Sequence, residues 1–306
     1  MILNLALLAV ALICLFGLAM LARNGVVHLL PKGMALTLRK APPTACFGML
    51  VIAVYIAVAF FAPLIAPYGE SEIIGDAFQV WSSQHPLGTD ALGRDMLSRL
   101  IFGARNTVGI AFATTALAFI VGALLGMLAA MQGGFVDQAL GRLVDLLMAI
   151  PALIFKLLLL AVFGTSVFSL ILIIALVDST RVFRLARAVT QNIVVMDYFE
   201  AAQLRGESLW RMLTREILPN AMVPLIAEFG LRFCFVFLSI SALSFLGLGL
   251  QPPIADWGSM VRENASLITF GDITPLLPAA AIALLTVGVN FVVDWALHLS
   301  SGLKDK

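Results

Sequence analysis

The chain has 306 residues, 61% apolar and 12% charged, with a mean hydropathy of +1.03. Soluble domains carry charge on about a quarter of their residues, so this chain has too few ionic groups to coat a water-facing globule. Its 19 basic and 18 acidic residues nearly cancel, which excludes a nucleic-acid binder and a highly charged disordered chain. A polytopic membrane protein remains.

A helix crosses the hydrocarbon core with about 20 apolar residues. Seven segments qualify: 2–22, 44–66, 107–130, 143–163, 168–188, 219–247 and 276–298. The first carries its only charge, Arg23, after the apolar run, whereas a signal peptide carries charge before it. That predicts a retained helix with its N-terminus outside; cleavage and a surface-lying helix are the alternatives. In the third segment Gly122 and Gly126 form a GxxxG pair, read either as a close-approach site or as ordinary membrane-helix glycine. Cys14, Cys46 and Cys234 lie in apolar runs without pairing spacing, and His28, His85 and His298 stand apart from any carboxylate cluster, so neither a disulfide framework nor a metal site is expected.

Orientation follows Lys and Arg in the short loops. Loop 23–43 holds Arg23, Lys32, Arg39 and Lys40 with no acid and is placed in the cytoplasm. Alternation then puts 67–106 outside, 131–142 inside, 164–167 outside, 189–218 inside, 248–275 outside and the tail inside. Arg181, Arg184, Arg187, Arg205, Arg211 and Arg215 gather around the long inner connection. Loop 67–106 is the exception, with Arg94, Arg99 and Arg105 on the outer side beside Glu70, Glu72, Asp76, Asp90 and Asp95.

Four ionisable residues inside predicted spans are singled out: Lys156, Glu228, Arg232 and Asp294. Each costs about 2.5–3.5 kcal/mol at mid-helix, so each should face protein or water. Glu228 precedes Arg232 by four residues, the favourable order for an intrahelical pair. Two readings stand: a polar wall of a translocation pathway, or a self-neutralised structural pair that also bonds a partner. Lys156 is a pathway candidate, and Asp294 reads as helix-end structure.

The stretch 197–220, DYFEAAQLRGESLWRMLTREILPN, is too polar to span. Tyr198, Phe199, Ala202, Leu209, Leu213 and Leu218 give it an apolar face, Gly206 interrupts it, and Pro219 suits the start of the next span. Helix, glycine turn, helix across the cytoplasmic face is expected; an amphipathic helix resting on headgroups is the alternative. The series Glu200-Ala201-Ala202, Gly206, Leu218-Pro219 resembles the EAA motif of ABC importer permeases, with Glu216 departing where the wider family is often apolar. The resemblance implies a coupling helix that docks on an ATPase subunit.

Two further stretches resemble the second permease of dipeptide, oligopeptide and nickel importers. One runs from His85-Pro86-Leu87-Gly88-Thr89-Asp90 through Leu92-Gly93-Arg94-Asp95 to Gly103-Ala104-Arg105. The other joins Leu243-Ser244-Phe245-Leu246-Gly247-Leu248-Gly249 to Pro252-Pro253 and Asp256-Trp257-Gly258; Gly133-Gly134-Phe135-Val136-Asp137 matches as well. From local chemistry, Asp90 should cap the following helix, Asp95 and Arg99 should pair at i,i+4, and Trp257 should anchor at the membrane interface.

The resemblance implies an all-α polytopic helix bundle of the type I ABC importer permease fold, with six core spans plus one extra N-terminal helix. Residues 1–43 would hold that helix and a cytoplasmic linker, and 44–306 the permease domain. Implied partners are a homologous permease, two ABC ATPase subunits, an extracytoplasmic solute-binding protein and membrane lipid in a bacterial inner membrane. ATP and Mg would sit on the ATPases, with no cofactor on this chain. No phosphate-binding GxxxxGK[ST] loop, HExxH or GxSxG occurs, so no enzyme activity is expected here. Dipeptides, longer peptides, peptide antibiotics, opines and nickel complexes are substrates within that family. An ion-coupled secondary transporter, with Glu228, Arg232 and Asp294 as its relay, is the second class.

Overall fold

A computed structural model describes residues 38–301 continuously, together with Gly17, residues 19–21 and residues 23–25. The expected span 2–22 therefore lies largely outside the described residues. The described elements are helical apart from two isolated bridges, Ile73 with Arg94 and Thr89 with Asp95. In chain order they are α1 (Pro43–Ile65), α2 (Met96–Gln132), α3 (Gly134–Met148), α4 (Ala152–Phe163), α5 (Val167–Ile193), α6 (Asp197–Leu204), α7 (Leu209–Phe245), α8 (Trp257–Asn264) and α9 (Leu276–Ser301).

Among the described residues α1, α2, α7 and α9 are each long and apolar enough to cross a membrane, and α3 with α4 supplies a fifth candidate if the bent pair is one span. The expected span 143–163 is thus not one straight helix. It breaks at 149–151, and α3 and α4 meet at 86°. Pro151 has no N–H to continue the ladder and pushes its neighbour out of helical geometry. The third expected span starts well before 107: α2 begins at Met96 and runs through a π-helical stretch, Ala104–Val108. Pro219 stands, as expected, in the first turn of an α-helical stretch, Leu218–Phe245; a second π-helical stretch, Met212–Ile217, joins that stretch to Leu209, so α7 runs unbroken from there.

Lipid tails are as apolar as leucine, so helix association here depends on close packing and hydrogen bonds. The GxxxG pair decides the tightest seam. An added Cβ on Gly122 would overlap the Ser179 carbonyl, and one on Gly126 would sit 2.5 Å from the Phe183 carbonyl. Both glycines are therefore the close-approach site of α2 on α5. Gly48 of α1 meets the Gly288 carbonyl of α9 in the same way, and Tyr55 donates to the Ala281 carbonyl at 2.9 Å across that interface. α7 packs on α2, α5, α8 and α9. Phe237, Ile240 and Leu243 on α7 are fully buried, while Phe60, Leu64, Val162 and Phe163 point outward, as suits a lipid solvent.

Candidate functional site

Three polar constellations stand out, one at each end of the bundle and one inside it. The first gathers the motif residues of 85–107 and 255–263. Asp95 is the N-cap of α2, its Oδ2 accepting from the Ser98 N–H at 2.8 Å and the Ser98 hydroxyl at 2.7 Å. Asp90 is not that cap. Its Oδ1 accepts from the N–H groups of Leu92 and Arg94 around the turn where Gly93 takes φ +75. Its Oδ2 lies 2.7 Å from Arg94 Nε and 3.3 Å from Arg99 Nε, and Glu263 of α8 faces both guanidinium groups. The expected Asp95–Arg99 pair gives way to Asp90–Arg99, because Asp95 is occupied by the helix end. Arg94 and Arg99 are only 3% and 1% exposed. Two of the three arginines that broke the charge rule in loop 67–106 are therefore neutralised inside the protein.

Trp257 closes this end. Its Nε1 donates to the Leu100 carbonyl at 2.9 Å, its ring stands edge-on to Tyr55 and Phe237, and it is 2% exposed. It is not an interfacial anchor: Gly103, one turn along α2, leaves the space the indole fills, since a Cβ there would lie 2.5 Å from Cδ1 and Nε1. Beside it, Thr107 donates to Asp256 Oδ1 at 2.9 Å, and Asp256 caps α8 through the Ser259 N–H at 2.9 Å. Burial pushes the Asp256 carboxyl up, against the hydrogen bond from the Ser259 N–H that favours its ionised form. Glu70 Oε2 accepts from Asn106 Nδ2 and the Ala255 N–H. His85 does meet a carboxylate, its Nδ1 lying 3.4 Å from Asp95 Oδ1, yet no group among the described residues could hold a metal ion.

The second constellation lies within the helices. Lys156 Nζ of α4 donates to Asp178 Oδ2 of α5 at 2.6 Å and to Ser239 Oγ of α7 at 3.1 Å. Arg232 of α7 donates through Nε and Nη2 to Glu228 Oε1, and its Nη1 is 3.8 Å from Asp178 Oδ1. Two cations and two anions thus form one neutral chain across three helices. Pairing offsets part of the cost that each would carry alone in hydrocarbon. The structure brings Lys156, Glu228 and Arg232 together. Sequence reasoning missed Asp178, the acid that joins them, although it stands in the middle of the expected span 168–188. Asp294 is exposed on α9 and has no ion pair within this chain of charges, so the three-residue relay is not assembled.

The third constellation is the connection 197–220. α6 ends in a Schellman motif: Gly206 takes φ +71, its N–H donates to the Gln203 carbonyl, and the Glu207 N–H donates to Ala202. Phe199 and Ala202 are buried against Met212, Leu213 and Ile217 and against Met127, Val182 and Ala186 of the bundle. Glu200, Gly206 and Pro219 are exposed, with Ala201 and Leu218 half-buried. Of the expected apolar face, Phe199, Ala202 and Leu213 turn inward, whereas Tyr198 and Leu209 turn outward beside Leu204 (83% exposed) and Trp210 (67%). Nearby, Arg187 of α5 grips both carboxylate oxygens of Asp137 through Nε and Nη2, which ties the Gly133–Asp137 turn to α5.

Residues 122–301 match the family described as binding-protein-dependent transport system inner membrane component. The chain belongs to that family. It is a permease subunit of an ABC importer, a non-catalytic component of the inner membrane. Residues 40–86 further match the N-terminal transmembrane domain of oligopeptide transport permease C. Similar curated proteins include the dipeptide transport system permease protein of Alkalihalophilus pseudofirmus, 32% identical over 82% of this chain and 83% of its own. The di/tripeptide transport system permease protein of Pseudomonas aeruginosa is 35% identical over 81% of this chain and 84% of its own. The glutathione transport system permease protein of Pectobacterium atrosepticum is 31% identical over 80% and 82%.

Proposed function

We propose that this permease carries peptides or peptide-like solutes, forms half of the translocation pathway, and receives its drive through residues 197–220. The observation that carries the reading is the two-sided build of that segment. Phe199 and Ala202 root it in the bundle while Leu204 and Trp210 stand clear on the other side, so a push from outside is passed to α2, α5 and α7. Glu200, Ala201, Ala202, Gly206, Leu218 and Pro219 are the coupling residues on this reading. Similarity to permeases named for dipeptides, di/tripeptides and glutathione supports the substrate class.

The domain plan is an N-terminal helix and linker in 1–43 and the permease domain in 44–306, with six core crossings: α1, α2, α3 with α4, α5, α7 and α9. Its partners are a homologous permease, two ATPases that hold ATP and Mg, and an extracytoplasmic solute-binding protein. Hydrolysis would move the coupling helix and rock the spans between outward and inward access. Lys156, Glu228 and Arg232 belong to the pathway wall on this reading, with Glu228 as the member nearest open space, its side chain 15% exposed.

Reconstitution of both permeases, the ATPases and the binding protein in proteoliposomes tests this. ATP-dependent uptake of a labelled dipeptide is expected. Uptake at full rate without the ATPases, or intact uptake after disruption of Gly206, refutes it.

A further inference from the structure

Arg181 of α5 is exposed and makes no hydrogen bond or ion pair among the described residues. At 1.5 Å per residue it lies about 21 Å along α5 from Val167 and about 18 Å from Ile193. In the domain plan above α5 crosses the membrane, so neither headgroup layer is within reach of the arginine stem. A cation at that depth is costly in hydrocarbon, and an exposed one therefore faces water. The next arginines along the helix are engaged elsewhere. Arg187 is held by Asp137, and Arg184, one turn nearer the 197–220 connection, leans on Met148 Sδ at 3.8 Å.

The α5–α7 contact decides what shares that water with it. The two helices run antiparallel, meeting at Asp178–Arg232 and again where Ile193 shares a cluster with Met212 and Ile217. Arg181 stands one turn from Asp178, and Glu228 one turn from Arg232, both toward the 197–220 connection. At about 100° per residue Arg181 is rotated about 60° from Asp178, and Glu228 about 40° from Arg232. Because the helices run in opposite directions, the two rotations lead to the same side of the contact. Phe235 is rotated the same way; it is 51% exposed and its ring lies 5.4 Å from Arg232 Cζ. Lys156 is close enough for Arg181 to repel its ammonium. Glu228 uses a single oxygen for Arg232: Oε1 takes both guanidinium bonds, and Oε2 accepts none among the described residues.

A free cation and a half-free carboxylate thus stand at one level on one side, next to a chain of charges that is already neutral. Such a pair fits a ligand that bears both signs. We propose that Arg181 and Glu228 form a subsite for a zwitterion, the Arg181 guanidinium holding the terminal carboxylate of a short peptide and Glu228 Oε2 its terminal ammonium. A single charge of either sign would leave the other terminus desolvated without a partner. A zwitterion brings no net charge into the low-dielectric space, so the balance of Lys156, Asp178, Arg232 and Glu228 is kept as it passes. Phe235 offers an apolar surface beside the two charges. The subsite rests on the importer reading above and deepens it, adding Arg181 to the pathway wall and naming the groups that the wall holds.

The test uses the complete complex of both permeases, ATPases and binding protein in proteoliposomes. Uptake per ATP hydrolysed is read for a labelled dipeptide, its C-terminal amide and its N-acetyl form, each saturating the binding protein. The binding protein is the same in every sample, so a changed preference in a variant belongs to the permease. Arg181→Gln is expected to lower dipeptide uptake roughly tenfold and to remove the preference for the dipeptide over its amide. Arg181→Lys is expected to keep that preference. Glu228→Gln, which still accepts from Arg232, is expected to remove the preference over the N-acetyl form. Equal handling of the three peptides by the wild type, wild-type preferences in either Gln variant, or an equal loss for all three peptides overturns the subsite alone. A dependence of wild-type uptake on anionic lipid that Arg181→Gln abolishes also overturns it, by assigning Arg181 to headgroups. A wild type that takes up none of the peptides with ATP refutes the peptide-importer reading and the subsite with it.

Discussion

The indole Nε1 of Trp257 donates to the Leu100 carbonyl at 2.9 Å, closing a contact across 157 residues of chain. With it, the polar stretch that enters α2 and the short helix α8 become one interlocked unit. Thr107 on Asp256 and the two arginines on Glu263 complete the joint. Trp257→Phe keeps most of the packing but removes the indole hydrogen bond, leaving the Leu100 carbonyl with the Ala104 N–H alone. A loss of about 0.5–1.5 kcal/mol is expected, read as a lower melting temperature of the purified complex. Gly103→Ala should cost at least as much, because the indole has no room to retreat.

The α2–α5 seam predicts a contrast among glycines. Gly126→Ala drives a methyl into the Phe183 carbonyl and should reduce folded yield and thermal stability. Gly141→Ala, with nothing within 4 Å of its new Cβ, should be neutral or stabilising by up to about 1 kcal/mol, since alanine favours the helix. Equal melting temperatures for the two variants would refute the seam.

The charge chain predicts non-additivity. Lys156→Met or Asp178→Asn alone leaves an uncompensated buried charge, a loss of about 3–5 kcal/mol. The double variant restores neutrality and should recover much of that loss. A double-mutant cycle on thermal unfolding checks this; strict additivity counts against a shared network.

At Gly206 the backbone, not the packing, sets the constraint. The residue holds φ +71 with open space around it. Gly206→Val should disturb the turn by about 1–2 kcal/mol and lower ATP-driven uptake strongly. Gly206→Asn, which tolerates the left-handed region, should retain most uptake. Parallel uptake assays in proteoliposomes separate the two.

Asp256 predicts a pH effect of definite sign. Burial raises its folded pKa above the ordinary 3.8, so the folded state holds the proton more tightly than the unfolded chain. Its contribution to stability is present below the unfolded value and is lost as pH rises through the folded one. Melting temperatures across acidic to neutral buffers should show this fall in the wild type and a flatter profile in Asp256→Asn.

Much of this was legible along the chain because it depends on local pattern. Apolar runs marked the crossings, the spacing from Glu200 to Pro219 marked the segment proposed for coupling, and Gly206 marked its turn. What misled was chemistry whose partner is distant. Arg94 and Arg99 counted as outer positive charge until Asp90 and Glu263 were seen around them. Trp257 looked like an interface residue because nothing near it in sequence could take its N–H. Asp178 went unread as a partner of Lys156 because the two lie on different helices. Pro151 was visible, but the 86° bend it allows is set by how α3 and α4 pack on α5.

Composition alone therefore determined that the protein lives in a membrane: 12% charged residues cannot clothe a soluble surface of this size. The periodic and motif content marked the apolar crossings and the segment that we propose meets the driving subunit. Only the tertiary structure decided what the scarce charges do. A charge in low dielectric is stable only beside its opposite; the Glu228–Arg232 pair was visible in the spacing, but Asp178 beside Lys156 and Glu263 beside Arg94 and Arg99 lie tens to hundreds of residues away, so those pairings became visible only once the helices had closed on one another.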